Sequence, residues 1–266
     1  MGVAMWRLII DEGDVYWNMA MDEAMLLLRD ANAIPNTLRI YVIKPSAVTI
    51  GYSQSVEEAV DLEFLKRSNI SFTRRISGGG SVYHDANGEI TYSIVASISD
   101  ISTDVVESFR IICRGIVYAI KELGVNAEFV PINDVVINGR KVSGNAQARK
   151  KNALLQHGTL MYNTDLETLS KALKAPKDKL LRHGVTTILE RVTTVSRELG
   201  RTVSKDDVIK ALIKGFSKAL NVNFNPGQYT HEELELARKL VEKYKSDEWI
   251  FKGKSSQMLQ YLPKQT

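Results

Sequence analysis

Apolar positions recur along this chain with two different periods, and the switches between them mark its elements. The opening MWRLIIDEG alternates and reads as an edge strand. WNMAMDEAMLLLRD then sets Met19, Met25, Leu26 and Leu28 among small and polar residues, which predicts an amphipathic helix over Tyr16 to Asp30. Leu38, Ile40 and Val42 alternate again and AVTIGY continues extended, so Thr37 to Tyr52 is expected to hold two strands joined at Lys44-Pro45-Ser46. A helix from about Ser55 to Ser68 should precede a glycine run. Beyond the glycines, Ile90, Tyr92, Ile94, Ala96 and Ile98 recur with period two, the mark of a half-buried strand.

From Asp104 to Leu123 the period lengthens. Phe109, Ile112, Ile116, Ile120 and Leu123 fall on one helix face, and Cys113 lies on that same face, where a buried thiol acts as a small hydrophobe. DVVINGRKVSG reads as two strands around Asn138-Gly139, a pair that tolerates the positive φ of a type I′ turn. ALLQHGTLMYN is expected to be a further strand. Ser204 to Leu220 and Thr230 to Lys245 are expected helices, the second opened by a Thr230/Glu233 capping box, with Asn221 to Gln228 as the loop between them. Strands dominate the middle, helices flank them and strict βαβ alternation is absent. The predicted class is α+β, with no internal repeat and no low-complexity tract.

Composition narrows the function classes. The chain has 266 residues, 44% of them hydrophobic, enough to bury a sizeable core. Its apolar runs, such as LRIYVI, fall far short of the roughly 20 residues of a membrane helix, and the N-terminus does not have the layout of a signal peptide. A cytoplasmic protein with no membrane partner is expected. One cysteine excludes an internal disulfide and every multi-cysteine metal motif. The 35 basic and 31 acidic residues leave +4, which permits a nucleic-acid binder but gives no dense basic stripe interleaved with aromatics.

Three stretches carry candidate chemistry. RRISGGGSVYHD, Arg74 to Asp85, places two fixed cations before three glycines and returns in a strand-like run. Three glycines alone fit a flexible turn as well as a ligand loop. With the arginines beside them, the bare backbone can point successive N–H groups at an anion, in a strand-loop-strand phosphate cradle. Lys141 follows the hairpin turn and precedes VSGNAQ, whose small residues leave room for a ligand beside an ammonium. His157, beside Gly158 in QHGT, is expected to line a pocket. Two decoys fall away. GKS at Gly253 to Ser255 has Glu248 where a P-loop needs its first glycine, and HEELE from His231 has no second histidine for zinc.

With those stretches in order, the chain resembles the lipoate-protein ligase A family, related in fold to biotin protein ligases. MAMDEAM, TIGYSQS, RRISGGGSVYHD, the pair Asn133-Asp134, RKVSGNAQ, LQHGTLMYNTDL, GVTTILERVTTV and DEWIF carry the resemblance over nearly the whole chain. It implies a central, mostly antiparallel or mixed β-sheet flanked by helices, similar to class II aminoacyl-tRNA synthetases, as one catalytic domain over residues 1–266 with a helical part from about 200. It implies a reaction using lipoate, ATP and Mg²⁺: lipoyl-AMP is formed, then the lipoyl group passes to a lysine of an apo lipoyl domain, in a dehydrogenase E2 or the glycine-cleavage H protein. By the same resemblance Arg75, Gly79, Gly80, Ser81 and Val82 match the nucleotide-binding loop. Lys141 matches the lysine that contacts both the lipoyl carboxyl oxygen and the α-phosphate. His84, Asn133, Asp134, Gly144 and His157 are secondary candidates, and no protein metal site is implied beyond Mg²⁺ carried by ATP.

Two departures shape the expectation. The order Asp85-Ala86-Asn87-Gly88-Glu89 differs from the family's usual one. The small accessory domain of full ligases is not expected in this chain, so a separate accessory protein is expected to support adenylation. Within the same fold the rival is a lipoyl or octanoyl transferase taking its acyl group from acyl carrier protein. Members with a cysteine nucleophile carry it just upstream of Asp134, where this chain reads FVPIND. A biotin ligase fits the loop and hairpin less well. Outside the fold, the rival is a non-catalytic nucleic-acid-binding protein.

Overall fold

The computed structural model describes residues 3–175 and 184–252. Its strands are β1 (Ala4–Gly13), β2 (Thr37–Ile43), β3 (Ala47–Ile50), β4 (Ser71–Arg74), β5 (Val82–His84), β6 (Glu89–Ser97), β7 (Glu128–Val130), β8 (Asp134–Ile137), β9 (Arg140–Arg149), β10 (Ala153–Met161) and β11 (Val222–Pro226). Its helices are α1 (Val15–Asp30), α2 (Val56–Ala59), α3 (Leu62–Arg67), α4 (Ile98–Ile101), α5 (Val105–Glu122), α6 (Leu166–Ala172), α7 (Ile188–Arg191), α8 (Val195–Leu199), α9 (Lys205–Leu220), α10 (His231–Lys245) and α11 (Asp247–Phe251). The architecture is the expected α+β class.

An eight-stranded mixed sheet runs β11-β1-β2-β6-β10-β9-β8-β7. It is parallel at the β11-β1-β2 end and antiparallel from β2 onward. A three-stranded sheet, β4-β3-β5, stands beside it. One face of the large sheet packs on α5 and α9, where Tyr92, Ile94 and Leu154 meet Ile112, Ile116 and Phe216. The other packs on α1 and α10, where Val95 and Leu155 meet Met21, Met25 and Ala237. β6 is therefore buried on both faces rather than half-buried, because a helix layer covers each side.

Three further expectations change. β1 is not an edge strand, since β11 pairs beside it, Ala4 opposite Val222 through Leu8 opposite Pro226. The stretch after α9 is accordingly a strand, not only a loop; Asn221 closes the helix at φ 53° and β11 ends at a proline, which an outermost strand tolerates. The helix expected near 55–68 is two short helices. Val60 leaves the helix to bridge Leu173, and Asp61 caps the second helix by accepting from the Phe64 amide at 2.9 Å. Pro45 marks a larger break than a turn within one sheet, because β2 and β3 belong to different sheets.

The Asn138-Gly139 turn sits at φ 51° and 75° as its sequence predicts. The capping box is formed, with the Thr230 hydroxyl accepting from the Glu233 amide and the Glu233 carboxylate from the Thr230 amide. Gly253 to Ser255 lies outside the described residues. Among the described residues no helix is long and apolar enough to cross a membrane.

Candidate active site

The small sheet and the β8–β10 end of the large one enclose a cavity of about 580 Å³. β4 and β5 flank β3, so the glycine run between them loops over the cavity from one side, in the expected strand-loop-strand form. Gly51, at the end of β3, fixes how low the loop lies. A Cβ there would stand 2.0 Å from the Gly79 carbonyl oxygen, so only glycine admits this approach.

The two arginines entering the loop divide their work. Arg74 turns away from the cavity and donates to the carbonyls of Gly51, Tyr52 and Gln54 at 3.0, 2.9 and 2.7 Å, and to that of Ile250. It ties the β3 exit to α11 and is structural. Arg75 lines the cavity and holds the loop from within, its Nη2 donating to the Gly78 and Gly80 carbonyls at 2.6 and 2.8 Å. Among the described residues no carboxylate forms an ion pair with Arg75. Burial alone draws its pKa down to about 10. A guanidinium so placed stays charged at neutral pH and lacks a fixed counter-ion, which suits it to an anionic ligand.

Across the cavity the β8–β9 hairpin presents Lys141. Its Nζ lies 2.6 Å from Asp134 Oδ1, and Arg191 Nη2 reaches Asp134 Oδ2 at 3.2 Å. One carboxylate thus holds two cations at the wall. The hairpin is anchored by the Thr193 amide, just past α7, which donates to the Lys141 carbonyl at 2.9 Å. Asn133 is fixed by reciprocal bonds with Asn145, whose Nδ2 donates to the Asn133 carbonyl at 2.9 Å while Asn133 Nδ2 donates to the Asn145 carbonyl at 2.6 Å.

Both candidate histidines are buried and partnered. His84 lies with Nε2 3.0 Å from Thr49 Oγ1 and Nδ1 3.1 Å from Glu89 Oε2. Burial raises the Glu89 carboxyl above its ordinary value of 4.5, against the lowering by His84 and Thr91. His157 reaches Ser77 through Nε2 and Asp22 through Nδ1. Gly79, Gly80, Ser81, Val82 and Gly144 also line the cavity, so of the residues singled out from the sequence as cradle, hairpin and pocket groups the structure gathers all but Arg74 in one place.

The sequence reading passed over Arg191, Asn145, Ser77 and Asp22. A lone arginine in ILER reads as surface. Asp22, however, left a signal: it falls on the apolar face of α1 beside Met19 and Met25, where an acid needs buried partners. Cys113 is fully buried on α5, and burial pushes its thiol up to about 12. It is absent from the cavity lining. Among the described residues no group of three or more His, Cys, Asp or Glu gathers to hold a metal.

The family model described as lipoyl protein ligase A/B catalytic domain matches residues 14–217, which span the loop, the hairpin and QHGT. The chain belongs to this family. Among its lipoyl protein ligase A/B relatives, the octanoyltransferase LipM of Kyrpidia tusciae is 34% identical over 93% of this chain and 98% of its own length. The bi-partite lipoate protein ligase of Thermoplasma acidophilum, from a study that includes its E2 lipoyl domain, is 35% identical with a TM-score of 0.82. That match covers 95% of this chain and 99% of the other. A lipoate-protein ligase A crystal structure with bound ATP is 33% identical, TM-score 0.79, over 94% of this chain and 99% of the other.

The expected fold is the one these lipoyl protein ligase A/B structures have, and the expected class, an enzyme of this family, stands. The expectation of an ATP-dependent ligase divides. The curated relatives carry the name of the rival, the octanoyltransferase, and favour it. The solved ligases share the fold and a similar identity.

Proposed function

We propose that this chain transfers an eight-carbon acyl group, lipoyl or octanoyl, from an activated donor to a lysine amine on an apo lipoyl domain. Lys141 polarises the donor carbonyl. Arg75 and the Gly79–Val82 backbone hold the donor's anionic end. The acceptor amine attacks the acyl carbon, the C–N bond forms, and the bond to the leaving group breaks with the electron pair going to that group. The amine proton passes to solvent. Lys141, held at its wall by Asp134, opposes the negative charge that develops on the carbonyl oxygen.

One observation carries the choice of donor. The chain's single thiol stands outside the cavity on α5, where it stays protonated, so no acyl-cysteine intermediate can form there. With a lysine, an uncompensated arginine and a bare backbone loop in its place, the site favours an acyl-adenylate. Its AMP is a good leaving group and its phosphate answers Arg75. ATP would supply the activating phosphoryl chemistry and would carry its own Mg²⁺, since both oxygens of Asp134 already hold cations, Lys141 and Arg191. The rival, an octanoyl group taken from acyl carrier protein, is supported by relatives such as LipM of Kyrpidia tusciae and Geobacillus kaustophilus.

The test is the intact mass of an apo lipoyl domain after incubation with this chain and either synthetic lipoyl-adenylate or octanoyl-acyl carrier protein. Acylation from the adenylate is expected, retained by Cys113→Ala and reduced about 10²–10³-fold by Lys141→Ala. Acylation from the carrier protein alone, lost in Cys113→Ala, would replace this reading with the rival. Acylation from neither donor by folded protein would remove both.

A further inference from the structure

Three groups beneath the glycine loop have the geometry of a nucleophile-base-acid chain, yet they point away from nucleophilic chemistry. Ser77 Oγ lies 2.5 Å from His157 Nε2, and His157 Nδ1 lies 2.8 Å from Asp22 Oδ2. They come from the loop after β4, from β10 and from α1. Ser77 is 1% exposed and does not line the cavity, and its hydroxyl already accepts from Arg75 Nε at 3.0 Å.

A neutral imidazole at His157 sets the donors and acceptors along this chain. Arg75 Nε can only donate, so Ser77 Oγ accepts there and has its one proton for His157 Nε2. Asp22 is held as a carboxylate by Arg39 at 3.2 Å, Tyr41 at 2.9 Å and Ser93 at 2.6 Å, so it accepts from His157 Nδ1–H. The histidine in this arrangement carries its proton on Nδ1. Every link from Asp22 to Arg75 then runs in one direction. The acid's charge is met by Arg39, which also pairs with Asp11 at 3.0 Å. None is left for Arg75.

We propose that Ser77, His157 and Asp22 are positioning residues, a buried relay that aims the Arg75 guanidinium without neutralising it, so that the missing counter-charge is the donor's phosphate. This rests on the acyl-adenylate reading above. A carboxylate placed directly against Arg75 would hold it as firmly but would compete with the ligand. A serine backed by an imidazole holds it without setting a carboxylate against its charge.

The probe is AMP against adenosine, with both affinities measured by calorimetry on the folded chain and the melting temperature recorded for each variant. The wild type is expected to prefer AMP. Ser77→Ala should reduce that preference about tenfold while adenosine affinity holds, since a tenfold change corresponds to about 1.4 kcal/mol, close to the lower end expected for a lost hydrogen bond to a charged group. His157→Asn, which reaches Asp22 but not Ser77, should reduce it equally, and the double variant no further, because the three groups act as one chain. His157→Gln returns an acceptor to Ser77 and should keep the preference.

A wild type that binds AMP no better than adenosine would remove the phosphate-holding reading itself. A wild-type preference that survives Ser77→Ala and His157→Asn, or losses that add in the double variant, would overturn the relay alone. Should Ser77→Ala not fold, His157→Gln decides: a lost AMP preference in that variant overturns the relay.

Discussion

Glu89 is 1% exposed and faces His84 and Thr91 behind the cavity wall. Its folded pKa is raised above 4.5, with burial the largest cause, so the protonated form is the one that folding favours. The stabilising contribution is full below about 4.5 and is lost as pH rises through the raised folded value. Glu89→Gln keeps the shape, still accepts from Thr91 and carries no proton to lose. The melting temperature of the variant minus that of the wild type should therefore grow as pH is raised above 4.5. A difference that stays flat with pH would show that the fold leaves the Glu89 ionisation where it is in the unfolded chain. At this scale the sequence was a good guide to residue type and a poor one to role. Arg74 and Arg75 are adjacent and identical in kind, and only the alternation of β4 and the close approach of Gly51 send one to α11 and the other to the cavity.

Elements whose identity rests on local chemistry were legible. α5 announces itself by one apolar face, the β8–β9 hairpin by Asn138-Gly139, and the start of α10 by its capping box. Elements whose identity rests on distant partners were not. β11 is a strand because β1, more than 200 positions earlier, offers it an edge, and the break at Val60 follows from a bridge to Leu173. The glycine loop lies between these cases. Its three glycines signalled a cradle, but its height over the cavity depends on β3, where Gly51 meets Gly79. Gly51→Ala would put a methyl group 2.0 Å from the Gly79 carbonyl oxygen and 2.9 Å from its carbon, and both are backbone atoms that cannot rotate aside. The loop must rise, carrying the Gly80 carbonyl away from Arg75. A displacement of about 1 Å at a reacting centre reduces turnover roughly 10²-fold. Transfer from acyl-adenylate by Gly51→Ala is expected to fall by that order with the circular dichroism spectrum retained, and an unchanged rate would mean the loop does not position the donor.

For the whole molecule the question is how many negative charges the cavity can gather. Transfer from an acyl-adenylate needs one phosphate held and one carbonyl polarised, and Arg75 and Lys141 match that demand. Making the adenylate is a heavier task, because a carboxylate must approach a triphosphate and fixed cations have to oppose the repulsion. The described cavity has few cations to spare. Lys141 and Arg191 already share Asp134, and Lys174 donates to the Glu57 carbonyl at 3.0 Å. Pyrophosphate release from lipoate and Mg-ATP by this chain alone should accordingly be much slower than its transfer from pre-made lipoyl-adenylate to the same apo lipoyl domain. The two rates, measured side by side on one preparation, decide it. Pyrophosphate release as fast as transfer would mean that Arg75, Lys141 and the loop amides suffice for both steps and that no partner is needed for activation.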